Sequence, residues 1–147
     1  MRNIAIRVGI VALIIVGGLI LRPFLSGNAS DLAVGDCFDE PTGAAQEVEN
    51  VQHHPCNEAH TGEVFLVQDV ADAPTYPSED GWIEEVSTRC LPAFATYTGV
   101  AYEDTQTLDI GWLTPTAEGW TKGDRELICY VRQADGSATS TSAKAGN

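Results

Sequence analysis

The fifteen residues VQHHPCNEAHTGEVF, positions 51–65, contain all three histidines of the chain together with a cysteine and two glutamates. Imidazole, thiolate and carboxylate are the ligand types of zinc sites, which need three or four of them. His53, Cys56, Glu58 and His60 could supply that number. Two features argue against it. The spacing follows no H-E-x-x-H pattern, and the stretch reads as loop, so no helix face presents the imidazoles together. Cys56 is also one of four cysteines, an even count that signals disulfides in a small exported domain, and an oxidised cysteine is no ligand. Neither a metal nor another cofactor is expected.

Other chemistry finds less support. No G-x-S-x-G or comparable activated-serine context occurs, and the cysteines are expected in bridges. Paired carboxylates of glycosidase type carry no diagnostic weight in a chain with 21 acidic residues, where chance supplies pairs. No catalytic residue is assigned, and the chain is not expected to be an enzyme. A framework role explains more. His60 and Glu63, at the start of an apolar run, can hydrogen-bond loop backbone and set strand register, while Asp124 and Arg125 can form a turn and an ion pair near Trp120. His60, Glu63, Trp120, Asp124 and Arg125 are equally the candidates for a ligand-binding groove, because polar groups beside aromatics also make recognition sites.

The elements that must position these residues follow from periodicity. GEVFLVQDV at 62–70 is the clearest strand, with Val64, Leu66 and Gln68 expected on one face and Phe65 and Val67 on the other. LAVGDCF and AQEVENVQ before it read as shorter strands, and TLDIGWLTP (107–115) and RELICYVRQ (125–133) as later ones. Between them, Trp82, Val86, Cys90, Phe94 and Tyr97 recur at helical spacing. Ser78 or Asp80 is the expected cap, Gly99 the stop, and Pro92 predicts a kink or two abutting segments. The reading is an α+β fold: a small, mostly antiparallel sheet with one helix packed on it and two disulfides, preceded by one N-terminal transmembrane helix.

Four cysteines allow three pairings. Cys37 and Cys56 sit in neighbouring early segments, whereas Cys90 lies on the helix's buried stripe and Cys129 on a late strand. Cys37–Cys56 with Cys90–Cys129 is the pairing that ties helix to sheet without splaying the early segments.

Charge is divided unevenly. Residues 1–30 hold Arg2, Arg7 and Arg22 and no acid, a formal +3; the remainder holds all 21 acids against five bases, a formal −16. Such a surface repels phosphate backbones and excludes nucleic acid as a partner. Between Arg7 and Arg22 run fourteen apolar or glycine residues. As a helix they span about 21 Å, and Ile4–Ile6 with Pro23–Leu25 extend them toward the roughly 30 Å hydrocarbon core. A signal peptide competes, but Arg22 and Pro23 directly after the run and the lack of a clean A-x-A site favour an uncleaved anchor over residues 4–25. Arg2 and Arg7 then keep the amino terminus in the cytoplasm and place the domain outside. The divisions are an anchor and spacer over 1–30, a domain over 31–134, and a polar tail over 135–147. That tail lacks any large apolar residue and is expected to be disordered.

LAVGDCF (32–38), CNEAHTGEV (56–64), CLPAFATYTG (90–99) and PTAEGWTKGDRELIC (115–129) follow one another in this order. Together they resemble the actinobacterial septum-formation-related domain family from about Leu32 to Val131. Ala59 departs from it where proline commonly precedes the histidine, and His53, His54 and Pro55 lie outside its pattern. The resemblance implies an envelope protein, often membrane-tethered, with no established catalytic activity. The resulting expectation is a non-enzymatic binding or scaffolding module of the cell envelope whose partner is an envelope or septal protein or a cell-wall glycan. A metal-dependent or carboxylate-based hydrolase of wall polymers is the alternative.

Overall fold

The computed structural model of the chain describes residues 27–41 and 50–146. Among them six strands form one sheet: β1 (Gly27–Asn28), β2 (Cys37–Asp39), β3 (Asn50–His54), β4 (Gly62–Asp69), β5 (Leu108–Leu113) and β6 (Glu126–Gln133). Their order is β1-β3-β2-β4-β6-β5, and every pairing is antiparallel. Helix α1 (Glu79–Thr98) packs on one face, against β4, β5 and β6, and a short α2 (Ala117–Thr121) interrupts the connection from β5 to β6. This is the α+β arrangement that the two periodicities predict. The expected anchor over residues 4–25 lies outside the described residues, among which no helix is long and apolar enough to cross a membrane.

Helix α1 begins where its chemistry allows. The Ser78 hydroxyl accepts the Gly81 amide at 3.2 Å, and Glu79 and Asp80 sit in the positively polarised first turn. It ends at Gly99, whose φ of 75° is readily adopted only without a Cβ and whose amide reaches the Ala95 carbonyl. Trp82, Val86, Cys90 and Phe94 bury one stripe against the sheet. Instead of the expected kink or break at Pro92, the structure has one helix of 20 residues. Pro92 lies on the exposed side, so the carbonyl it leaves unpaired, that of Thr88, also sits at an exposed residue.

Both disulfides join the cysteines whose placement predicts them. Cys90 of α1 bridges to Cys129 of β6 with Cα atoms 6.0 Å apart, and Cys37 of β2 to Cys56 with 5.3 Å. The first fastens the helix to β6, between β4 and the edge strand β5. The second closes the β2–β3 region over the start of β4.

The sheet has a core on each side. Phe65, Trp82, Phe94, Leu127 and Cys129 belong to the helix side, and Phe38, Val51, Val64, Ile128 and Tyr130 to the other. Strand β4 departs from simple alternation. Val64 pairs with Tyr130 and Leu66 with the adjacent Cys129, so Phe65 is an extra residue and forms a bulge. Phe65 and Leu66 consequently both pack toward the helix, while Val64 and Val67 pack away from it. The expected grouping of Val64 with Leu66 fails because one inserted residue reverses the phase of every side chain beyond it.

The polar tail, read as disordered from its composition, docks on the domain. Thr139 exchanges both backbone hydrogen bonds with His60, and the Ala145 amide donates to the Tyr97 carbonyl at 2.8 Å. Polar anchoring to buried partners replaces the apolar burial that the tail lacks.

Candidate functional site

The sequence candidates divide between two ends of β4. At one end His60 and Glu63 are almost wholly buried, 1 % and 3 % exposed. The Glu63 carboxylate accepts the Tyr97 and Ser142 hydroxyls on Oε1 and the Ala143 amide on Oε2, each at 2.6 Å. His60 Nδ1 lies 2.8 Å from the Glu58 carbonyl, which fixes the proton on that nitrogen. Burial, followed by the hydrogen bond to Glu63, pushes the Tyr97 phenol well above its ordinary range and keeps it a donor.

Ligand atoms of Cys37, His60 and Glu63 lie within 4.8 Å of one another. They do not suit a metal, because the Cys37 sulfur is bonded to Cys56 and the carboxylate is filled by three protein donors. Of the other histidines, His54 Nε2 contacts Asp39 at 2.9 Å on the sheet, and His53 stands opposite Phe38 in the β2–β3 ladder. Both belong to β3 rather than to a loop. The cluster therefore fixes the tail and the start of β4.

At the far end of the ladder, where Asp69 pairs with Glu126, stand Trp120, Asp124 and Arg125. The Arg125 guanidinium lies 3.8 Å over the Trp120 ring and donates to Asp72 Oδ1 at 2.7 and 2.9 Å. Its ion-pair partner is therefore Asp72; Asp124 instead accepts the Glu126 amide and shapes the turn. Six residues of strand, about 20 Å, separate this end from Glu63. The five candidates thus do not line one groove. Trp120 and Arg125 flank a hollow of about 400 Å³ with Asp72 and Pro74.

A larger recess lies where no candidate was assigned. A cleft of about 870 Å³ follows β5, an edge strand of the described sheet, and is lined by all residues from Ile110 to Thr114. Since neighbouring strand residues point to opposite faces, the cleft wraps the edge. Tyr76, Trp82 and Ile83 wall it on the helix side, and Tyr130 and Arg132 on the other. Three rings, Tyr76, Trp82 and Trp120, meet edge to face with centroids 5.8–5.9 Å apart. Trp120 Nε1 donates to the Ala73 carbonyl at 3.1 Å, and the Tyr76 hydroxyl to that of Pro115 at 2.9 Å. Trp82 Nε1, on a side chain only 6 % exposed, has no partner among the described residues.

The polar wall is held rigid. Arg132 donates to Glu40 at 3.0 Å and, through Nε and Nη2, to Asp109 at 3.1 and 2.8 Å. The Tyr130 hydroxyl donates to Glu40 Oε1 at 2.6 Å, and the Tyr102 hydroxyl to Asp109 at 2.9 Å. Burial pushes the Asp109 carboxyl upward, but hydrogen bonds from Arg132, Tyr102 and the Ile110 amide outweigh it and hold the group below its ordinary range. Burial and the bond to Glu40 push the Tyr130 phenol up. The Tyr130 ring crosses β5 at Gly111, where a Cβ would come within 2.2 Å of it. Alternation in LDIGWL carried a signal for this wall, since a glycine beside Trp112 marks a place where a ring can cross the strand.

A family model described as septum formation matches residues 34–147. No curated protein and no solved structure matches the chain.

Proposed function

Because the chain belongs to the septum-formation family, we propose that it is a membrane-anchored, extracytoplasmic binding module of the cell envelope, without enzymatic activity, that takes part in septum formation. The apolar stretch over residues 4–25, with Arg2 and Arg7 before it, supports the anchor and its orientation. Two disulfides suit an oxidising compartment outside the cytoplasm.

The observation that carries the binding role is the cleft along β5. It combines open aromatic faces with polar groups immobilised by one another. Preorganised polar groups beside aromatic rings in a concave recess are physical requirements for holding a ligand.

Proximity labelling in intact cells, with a labelling enzyme fused after Asn147 of the full chain, tests this reading. The expected neighbours are extracytoplasmic envelope and septal components, and Trp112→Ala should change the set while leaving the protein's abundance intact. Labelling confined to cytoplasmic proteins would refute the topology. An unchanged set in the variant would remove the cleft from the function.

A further inference from the structure

The chemistry of the cleft also narrows the class of its ligand. Resting on the cleft as the binding surface, we propose that it takes a neutral saccharide, with pyranose rings stacked on Trp112 and Tyr76 and ring hydroxyls hydrogen-bonded to Glu40.

Trp112 is 43 % and Tyr76 40 % exposed, although both line the recess. A pyranose presents an apolar C–H face bordered by oxygens, and aromatic rings beside fixed polar groups match that division. Glu40, in the cleft wall, accepts Tyr130 and Arg132 both on Oε1, so among the described residues Oε2 is open to a ligand hydroxyl. Acceptor and stacking surfaces thus line one recess.

Charge and backbone exclude the rival classes. Among the described residues Arg132 is the one base lining the cleft, and it is already clamped between Glu40 and Asp109. A phosphate or carboxylate ligand would meet a wall carrying Glu40 and Glu79 on a strongly acidic domain. A peptide adding a strand to β5 would need that strand's outward amides. The bond from the Ala134 amide to the Thr107 carbonyl turns Thr107 toward β6, so residues 108, 110 and 112 face outward. Of these, the Leu108 amide is already bonded to Thr105 Oγ1 and the Ile110 amide to Asp109 Oδ1. A saccharide needs neither.

The test is tryptophan fluorescence and calorimetric titration of the full-length protein in detergent micelles. The neutral probe is tetra-N-acetylchitotetraose; a sulfated oligosaccharide and a proline-rich decapeptide are the rivals. Saturable binding of the neutral probe alone is expected. Trp112→Ala, an exposed position, should weaken it at least about tenfold. Thermal unfolding of the variant separates loss of binding from loss of fold. Binding of the peptide or the sulfated probe, abolished by Trp112→Ala, would overturn the saccharide class and leave the cleft as the binding surface. No saturable binding of any probe would overturn the saccharide assignment, and an unchanged labelling pattern in the Trp112→Ala cells would then remove the cleft as well.

Discussion

The Glu63 carboxylate on β4 accepts the backbone amide of Ala143 at 2.6 Å, joining positions 80 residues apart. With the Ser142 and Tyr97 hydroxyls on its other oxygen, it fastens the carboxyl-terminal segment to the sheet and to α1. Glu63→Ala leaves three donors without their acceptor and should lower unfolding stability by about 3 kcal/mol. Deleting residues 137–147 should destabilise comparably, by leaving a buried carboxylate with one partner. Urea unfolding of both checks this, and an unchanged midpoint for the deletion would show that the tail is not fastened.

Gly111 is the second position where one atom decides. Alanine there places its Cβ within 2.2 Å of a Tyr130 ring that is buried and tied to Glu40, so the ring cannot simply swing away. Gly111→Ala should cost about 1–3 kcal/mol and shift near-ultraviolet circular dichroism from the displaced tyrosine. Combined with Tyr130→Leu, the substitution should lose most of its effect. An equal cost in both backgrounds would place the strain elsewhere.

The two disulfides should differ modestly in weight. Chain-entropy arguments give roughly 3 kcal/mol for Cys37–Cys56 and 4 for Cys90–Cys129, whose sequence separations are 19 and 39. Replacing Cys90 and Cys129 by alanine should therefore be the more damaging double change, and it also frees α1 from β6. Protease susceptibility of the two double variants at matched concentration provides the comparison.

The network around Arg132 predicts an acid-sensitive domain. Asp109 has a carboxyl depressed in the folded state, so near pH 4 the native chain binds fewer protons than the unfolded one. Its contribution is full above the unfolded value of about 3.9 and disappears as pH falls through the lower folded value. Asp109→Asn should be destabilised at pH 7, and its gap to the parent should narrow as pH falls below about 4. Urea midpoints measured across pH 2–7 test this; parallel curves for the two proteins would contradict it.

Much of the fold was legible because its determinants are local. The stripe from Trp82 to Phe94, the Ser78 cap and the Gly99 stop lie within one segment and specify α1 on its own. Once that stripe and the strand period place Cys90 inward and Cys129 opposite it, geometry selects their disulfide. Membership of the family was equally open to sequence, since ordered motifs survive without reference to shape.

Tertiary structure alone decided the rest. The bulge at Phe65 arises from β4 matching β6, and apolar residues fill both faces of that strand, so alternation could not reveal the slip. The tail docks because a buried carboxylate far away in sequence lacks donors that Ser142 and Ala143 supply; no window of composition contains both halves of that bond. His60 and Trp120 look like partners in a list of polar and aromatic residues, yet the length of β4 holds their clusters apart. The cleft comes together only when the edge strand, the start of α1 and the β6 side chains meet around Gly111, where the missing Cβ lets the Tyr130 ring cross the strand.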